Sequence, residues 1–258
     1  MEKFRTHRLV LILALAAFAG GLLISWYRSA EEARYGMNCS DNLKQIGLGL
    51  SNYEAMYHCL PLAAETGLDG RLWRSWRTQI YPVLIDASPL KYDALSCWDA
   101  PSNMRLWKDP FMRCPSVFIC PRHRSARRDG IDYVVVTGVL TAFPKAKCVT
   151  HSEISDGLED TILVVESINC RPDWTEPRDL DFDRMSFTIN SKNAPSISSK
   201  HPNGPLVCFA DGEVYHLSPK TTEAELKAML TIAGNEDVRR QDMIERGLLS
   251  DHSADTNR

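Results

Sequence analysis

The chain has 258 residues, a formal net charge of −3 and 44% apolar residues, enough for one domain of good size or two small ones. Acidic and basic residues nearly balance, so no basic surface is offered to a nucleic acid, and none is expected as a partner. The one departure from this average composition lies at the N-terminus.

Residues 1–8 form a basic arm, with Lys3, Arg5 and Arg8 against Glu2. Residues 9–24 are sixteen positions without a charge, and Ser25, Trp26 and Tyr27 extend the run to nineteen. At about 1.5 Å per residue this covers about 28 Å, close to the hydrocarbon thickness of about 30 Å. A basic arm before an apolar run is a signal peptide or a signal anchor. Cleavage after Ala17-Phe18-Ala19 would strand Leu22, Leu23 and Ile24 on the new terminus, so an uncleaved anchor over residues 9–27 is expected. The positive-inside tendency then keeps the arm in the cytoplasm and sends the chain from Arg28 onward across the membrane, in a single pass. There is no Leu-x-x-Cys lipobox, and no lipidation is expected.

A second helical pattern follows. Cys39, Leu43, Ile46, Leu50, Tyr53, Tyr57 and Leu60 recur at spacings of four and three, which places them on one stripe of a helix. Leu43, Ile46, Leu50, Tyr53 and Tyr57 are the expected interaction stripe. As one helix, residues 9–57 would be about 75 Å long. Gly47 and Gly49 each cost such a helix about 1 kcal/mol against Ala, and they permit another backbone to approach closely. Pro61 is expected to end it. The first part needs lipid; the second needs a surface that the rest of the chain must supply.

Residues 62–72 read as a loop and 72–85 as a short helix interrupted at Pro82. Residues 86–129 have no clear period, but Trp98, Trp107, Phe111 and Phe118 need burial, so the region is expected to be packed and irregular. Arg122, Arg124, Arg127 and Arg128 surround His123 in a basic run, expected as a solvated loop. Residues 132–136 and 161–166 are β-branched runs of strand length. Residues 205–217 read as a hairpin closed by Asp211-Gly212 in a two-residue type I′ turn. Asp-Gly pairs begin at 69, 129, 156 and 211, which suggests a meandering antiparallel sheet. Thr222-x-x-Glu225 is a capping box opening a helix to about Ala233, stopped by Gly234. Residues 28–234 form the expected domain and 235–258 a frayed polar tail.

Eight cysteines, at 39, 59, 97, 114, 120, 148, 170 and 208, could pair in an exported domain, or several could be small buried apolar residues. Cys39 and Cys59, about 30 Å apart on one helix, cannot pair. Cys114-x5-Cys120-x2-His123 offers three zinc ligands with no evident fourth; a Cys114–Cys120 disulfide loop is the other reading. Glu166 with Asp211 or Asp156 could help hold calcium, but no ligand-loop spacing supports it. Gly-x-Ser-x-Gly, His-Glu-x-x-His and a phosphate-binding glycine loop are all missing, so no catalytic, cofactor-binding or metal residue is expected.

Several segments in order resemble a known family. Asn38-Cys39-Ser40-Asp41-Asn42-Leu43-Lys44-Gln45-Ile46-Gly47 is similar to its C-x-N-N-L-K-Q-I-G segment. Ser75-Trp76-Arg77 with Tyr81-Pro82 is similar to an S-W-R…P-Y block. Trp98-Asp99-Ala100-Pro101-Ser102-Asn103, Phe118-Ile119-Cys120-Pro121, Ile154-Ser155-Asp156-Gly157, residues 161–166 and Trp174-Thr175-Glu176-Pro177 continue the order. His201, nine residues, then Asp211-Gly212 closes it. Over about residues 38–234 the chain resembles the pilin-like DUF1559 family, expanded in planctomycete bacteria. The resemblance implies an α+β, type IV pilin-like or pseudopilin-like fold: a long N-terminal helix packed on an antiparallel sheet. It further implies a non-enzymatic envelope protein of the bacterial inner membrane acting through protein contacts, self-association among them, in a type II secretion-like or pilus-like system. His201, Asp211 and Gly212 are then structural: a loop start and a hairpin turn. Family members carry a prepilin signal with a glutamate after Gly-Phe-Thr-Leu-Ile. Here no Gly precedes Gly20, and no carboxylate lies between Leu9 and Ser25, so a permanent anchor is expected instead of a filament subunit. The rival class is an exported metal-dependent enzyme or a carbohydrate-binding module with Trp-rich loops.

Overall fold

The computed structural model describes residues 2–84, 92–104, 114–123, 130–145 and 147–251, with side chains from Leu13 onward. A single helix, α1 (Glu2–Tyr57), runs for 56 residues, about 84 Å. It has two chemically different halves. Phe18, Leu23, Trp26 and Tyr27 stand exposed to 62–71%, whereas Cys39, Leu43, Ile46 and Leu50 have no exposed surface at all. The apolar half is long enough to cross a membrane, and fits a membrane anchor or a signal sequence. The stripe ends one turn before the sequence suggests: Tyr53 is half-buried and Tyr57 is exposed. The helix also stops before Pro61. His58 takes φ 60°, the left-handed conformation that closes a helix, and the chain turns back to bury Leu60.

The segment expected as one interrupted helix over residues 72–85 is instead a strand followed by a helix. β1 (Ala64–Thr66) and β2 (Leu72–Ser75) form a small antiparallel hairpin, and α2 (Trp76–Leu84) starts directly after it. Pairing with β1 decides the conformation of Leu72–Ser75, a long-range effect that periodicity does not record. Pro82 lies inside α2, near its end. One turn, α3 (Pro101–Met104), follows. Phe118 is fully buried and meets Trp76 edge to face at 6.0 Å, while Trp98 is half-buried. Trp107, Phe111, Arg124, Arg127 and Arg128 lie outside the described residues. Arg122 is no free surface cation: its guanidinium pairs with Glu32 of α1 and donates to the Lys200 carbonyl.

The main sheet comprises β3 (Tyr133–Thr137), β4 (Ile162–Glu166), β5 (Leu180–Asp181), β6 (Leu206–Phe209), β7 (Val214–Leu217) and β8 (Leu249–Ser250). Its order is β5-β3-β4-β6-β7-β8. All pairs are antiparallel except β3–β5, so the sheet is not a pure meander. Every residue of β4 and β6 is buried, which is why they read as continuous apolar runs. The buried half of α1 lies across β4, β6 and β7 and against α2. This is the long-helix-on-sheet, α+β arrangement expected from the sequence.

Gly47 shows how close the approach is. A Cβ there would lie 2.8 Å from Cys208 Sγ on β6. Gly47→Val is expected to cost about 1–3 kcal/mol by overpacking, and Cys208→Ala in the same chain to recover part of it; urea unfolding of both variants checks this.

The hairpin turn differs from the two-residue expectation. Phe209 N–H donates to Glu213 O and Gly212 N–H to Phe209 O, which leaves a three-residue loop, Ala210-Asp211-Gly212. Of these, Gly212 alone has a positive φ, 90°. That is a type I turn with a G1 bulge rather than type I′, which needs two such residues. The capping box is present in both directions between Thr222 and Glu225, but α4 (Glu223–Leu230) ends at Thr231, ahead of Gly234. The residues expected as a frayed tail are partly folded. α5 (Arg240–Glu245) and β8 bury Met243, Leu248 and Leu249 and close the sheet edge.

Candidate functional site

Four side chains from four separate elements meet between α1 and one end of the sheet. Cys39 belongs to the buried stripe of α1, and Cys120 follows the short 3-10 turn Ser116–Phe118. Glu166 is the last residue of β4, and His201 sits in the loop leading to β6. Their exposures are 0%, 1%, 0% and 6%. Cys39 Sγ lies 2.8 Å from Cys120 Sγ, and Cys120 Sγ lies 3.4 Å from His201 Nε2. His201 Nε2 in turn is 3.8 Å from Glu166 Oε1. One ligand atom from each of Cys39, Cys120 and His201 falls within 4.8 Å of the others.

Each member is held by its surroundings. Asn42 of α1 donates to the Ile119 carbonyl at 3.2 Å, tying the Cys120 loop to the helix. The Cys120 N–H donates to Asp132 Oδ2 at 2.9 Å, while Asp132 Oδ1 meets His123 Nδ1 at 2.7 Å and Arg171 Nε at 3.4 Å. The His201 N–H donates to Ser199 Oγ, and its ring meets His216 edge to face at 5.5 Å. Glu166 Oε2 accepts from the Leu206 N–H at 3.2 Å. Its other oxygen, Oε1, is buried and accepts no well-formed hydrogen bond among the described residues.

Burial disfavours charge here. It pushes the Glu166 carboxyl well up, helped by the Cys120 thiol, and it holds His201 down to about 3, with His216 and Arg122 adding repulsion. The Cys39 thiol and burial together push Cys120 up. Burial thus favours the uncharged forms of the Glu166 carboxyl, the His201 imidazole and the Cys120 thiol. A set of two sulfurs, an imidazole nitrogen and a carboxylate oxygen is also a ligand set for a borderline-soft metal ion.

The structure redistributes the residues singled out in the sequence. His201 enters the cluster. Asp211 and Gly212 lie at the start of β4, where Ala210 N–H reaches Thr161 O, about 16 Å from Glu166 by strand rise. Asp211 pairs with Arg240 at 2.7 Å, and Asp156 accepts from the Gly234 and Asn235 amides. Neither joins Glu166, so the proposed calcium grouping is not formed. The Cys114–Cys120–His123 grouping is not formed either. Cys120 turns to Cys39 and His201, His123 turns to Asp132, and the Cys114 thiol donates to Pro115 O. Cys59 lies beside Cys148, and burial together with that contact raises its thiol to about 11. Cys39 is the member that sequence reasoning missed, because its place on an apolar stripe gives a small buried residue a sufficient reason to be there.

Two other features organise the body. Arg77 and Asp179 form an ion pair at 2.7 Å with 0% and 1% side-chain exposure. Arg77 also donates to the carbonyls of Trp174, Glu176 and Arg178, and Trp76 Nε1 and the Val135 amide donate to Asp179. The Ser75-Trp76-Arg77 segment thereby fixes the loop that begins at Trp174. Beside that loop is an open cleft of about 650 Å³ lined by Trp98, Lys145, Arg178, Asp181 and Arg184, among others.

A family model described as SBP_bac_10, protein of unknown function (DUF1559), matches residues 28–143. No curated protein and no solved structure matches the chain. The matched segment contains the Cys39 helix, Ser75-Trp76-Arg77 and Cys120, and stops before Glu166 and His201. Over residues 28–143 the chain is similar to the DUF1559 family, and this match supports the resemblance read from the sequence.

Proposed function

We propose that this is a pilin-like protein of the cell envelope, anchored in the inner membrane by α1 with its N-terminus in the cytoplasm. Its folded body lies outside the membrane and works without catalysis, through contacts with other proteins or with further copies of itself. The observation that supports this most is the continuity of α1. One helix carries a lipid-length apolar segment into the stripe that the sheet buries, so membrane and body are joined by a rod and not by a linker. A pilin-like or type II secretion-like setting is the use of such a rod that the family resemblance suggests.

Fractionation of cells expressing the full chain tests the anchor. The protein is expected in alkali-washed membranes with its N-terminus intact, and deletion of residues 2–27 is expected to move it to the soluble fraction. A full-length product beginning near Gly20 and recovered in solution would overturn the anchor. Crosslinking in intact membranes tests the contact role; a discrete adduct is expected, and substrate turnover by the purified chain would overturn the non-enzymatic reading. The cleft beside Trp98 favours a second reading, an exported binding module, which glycan binding lost on Trp98→Ala would support.

A further inference from the structure

We propose that Cys39, Cys120, Glu166 and His201 bind a zinc-class divalent ion as a closed structural site that clips α1 to the sheet. A Cys39–Cys120 disulfide would account for two of the four groups and leave the other two unexplained. Glu166 Oε1 is fully buried, with no well-formed hydrogen bond among the described residues; only the Cys120 thiol and His201 Nε2, 3.8 Å away, interact with that carboxyl end. A cation among the ligand atoms of Cys39, Cys120 and His201, which lie within 4.8 Å of one another, takes Glu166 as its fourth ligand once that carboxylate closes in from beside His201.

The donor set selects the ion. Two thiolates and an imidazole prefer zinc or a similar borderline-soft metal over calcium or magnesium, which take oxygen ligands. Loading displaces two thiol protons and the carboxylic proton into solvent. It leaves one net negative charge, as in a Cys3His structural site. Zinc–sulfur distances of about 2.3 Å in a tetrahedron require sulfurs about 3.8 Å apart. From 2.8 Å they must separate by about 1 Å on loading. All four positions belong to the protein and none is open to solvent, so the site holds structure and does not activate water. Its ligands join residues 39 and 201 across the whole fold, and burial means that the ion enters as the body folds. The support loops already resemble an outer shell: Asp132 orients the Cys120 backbone, with His123 and Arg171 behind it.

The site does not depend on the membrane anchor, and its test is separate. Full chain is purified in detergent under reducing conditions with Zn²⁺ present, and bound metal is measured by elemental mass spectrometry. Stoichiometric zinc is expected. Glu166→Gln and His201→Gln should weaken it at least about tenfold in competition with a chromophoric chelator, while Cys59→Ser and Cys148→Ser should not. If the cluster variants fail to fold, Co²⁺ substitution of the unaltered chain decides the matter. A thiolate-to-cobalt charge-transfer band with intense tetrahedral absorption is expected. Zinc that coordinates no sulfur, a metal-free folded protein, or a Cys39–Cys120 disulfide in the chain from the envelope would overturn the proposal. That disulfide would form by exchange with an oxidising disulfide, which takes up both thiol hydrogens.

Discussion

Arg77→Met is expected to lower the unfolding free energy of the body by about 3–5 kcal/mol, the usual cost of removing one partner from a buried ion pair. The guanidinium is fully enclosed and its removal leaves Asp179 without its countercharge. Burial already pushes the Asp179 carboxyl up against the pull of Arg77, so the orphaned acid would take a proton in place of its partner. Three loop carbonyls lose a donor in the same step, and each buried group left unsatisfied adds to the cost. Arg77→Lys keeps the charge but not the planar fork that reaches several acceptors, so it should fall between the two. Arg77→Met combined with Asp179→Leu should recover a large part of the loss, because paired apolar replacement removes both desolvation penalties. Urea unfolding followed by tryptophan fluorescence measures all three. A loss below about 1 kcal/mol for Arg77→Met would mean that the pair is solvated in solution, as exposed pairs are.

Leu43→Glu is the second large effect, expected at about 4 kcal/mol or more, because it buries a carboxylate with no partner in the helix–sheet interface. Leu43 is wholly buried, whereas Leu48, on the same helix, is 60% exposed. Leu48→Glu should change stability by less than about 0.5 kcal/mol. The pair of variants separates two meanings of the stripe. If Leu43, Ile46 and Leu50 served a second protein, charging Leu43 would abolish an oligomer and leave the body folded. The structure shows them covered by the chain's own sheet, so the expected result is protease sensitivity and lost cooperativity in the isolated chain. A folded Leu43→Glu protein would sink that account. In the folded chain Leu43, Ile46 and Leu50 are not accessible to a second protein.

Much of the fold was legible in the sequence for identifiable reasons. The period of α1 showed its buried face, the β-branched runs showed β3 and β4, and the capping box marked the start of α4. What failed was short or non-local. β5 and β8 are two residues each, too short for alternation to register, and α5 carries a single buried residue, Met243. Leu72–Ser75 became a strand because a partner strand was available. The cluster failed for a different reason. Cys39, Cys120, Glu166 and His201 each lay within or at the end of a segment that the family resemblance picked out, yet spacing along the chain cannot show that four segments share one point. The nearer grouping, Cys114 with Cys120 and His123, was attractive only because it was local.

The unbroken α1 also fixes a rotational phase. An α-helix turns about 100° and rises about 1.5 Å with every residue. With the anchor proposed above, the stretch between Tyr27 and Cys39 sets both the standoff of the body from the bilayer and the direction in which its sheet edges look relative to the apolar half of the helix. A neighbour packed on one face of that apolar half would always meet the same side of the body, so the twelve residues after Tyr27 act as a keyed shaft. Lengthening that shaft by one residue would swing the body more than a quarter turn while leaving its every internal contact intact.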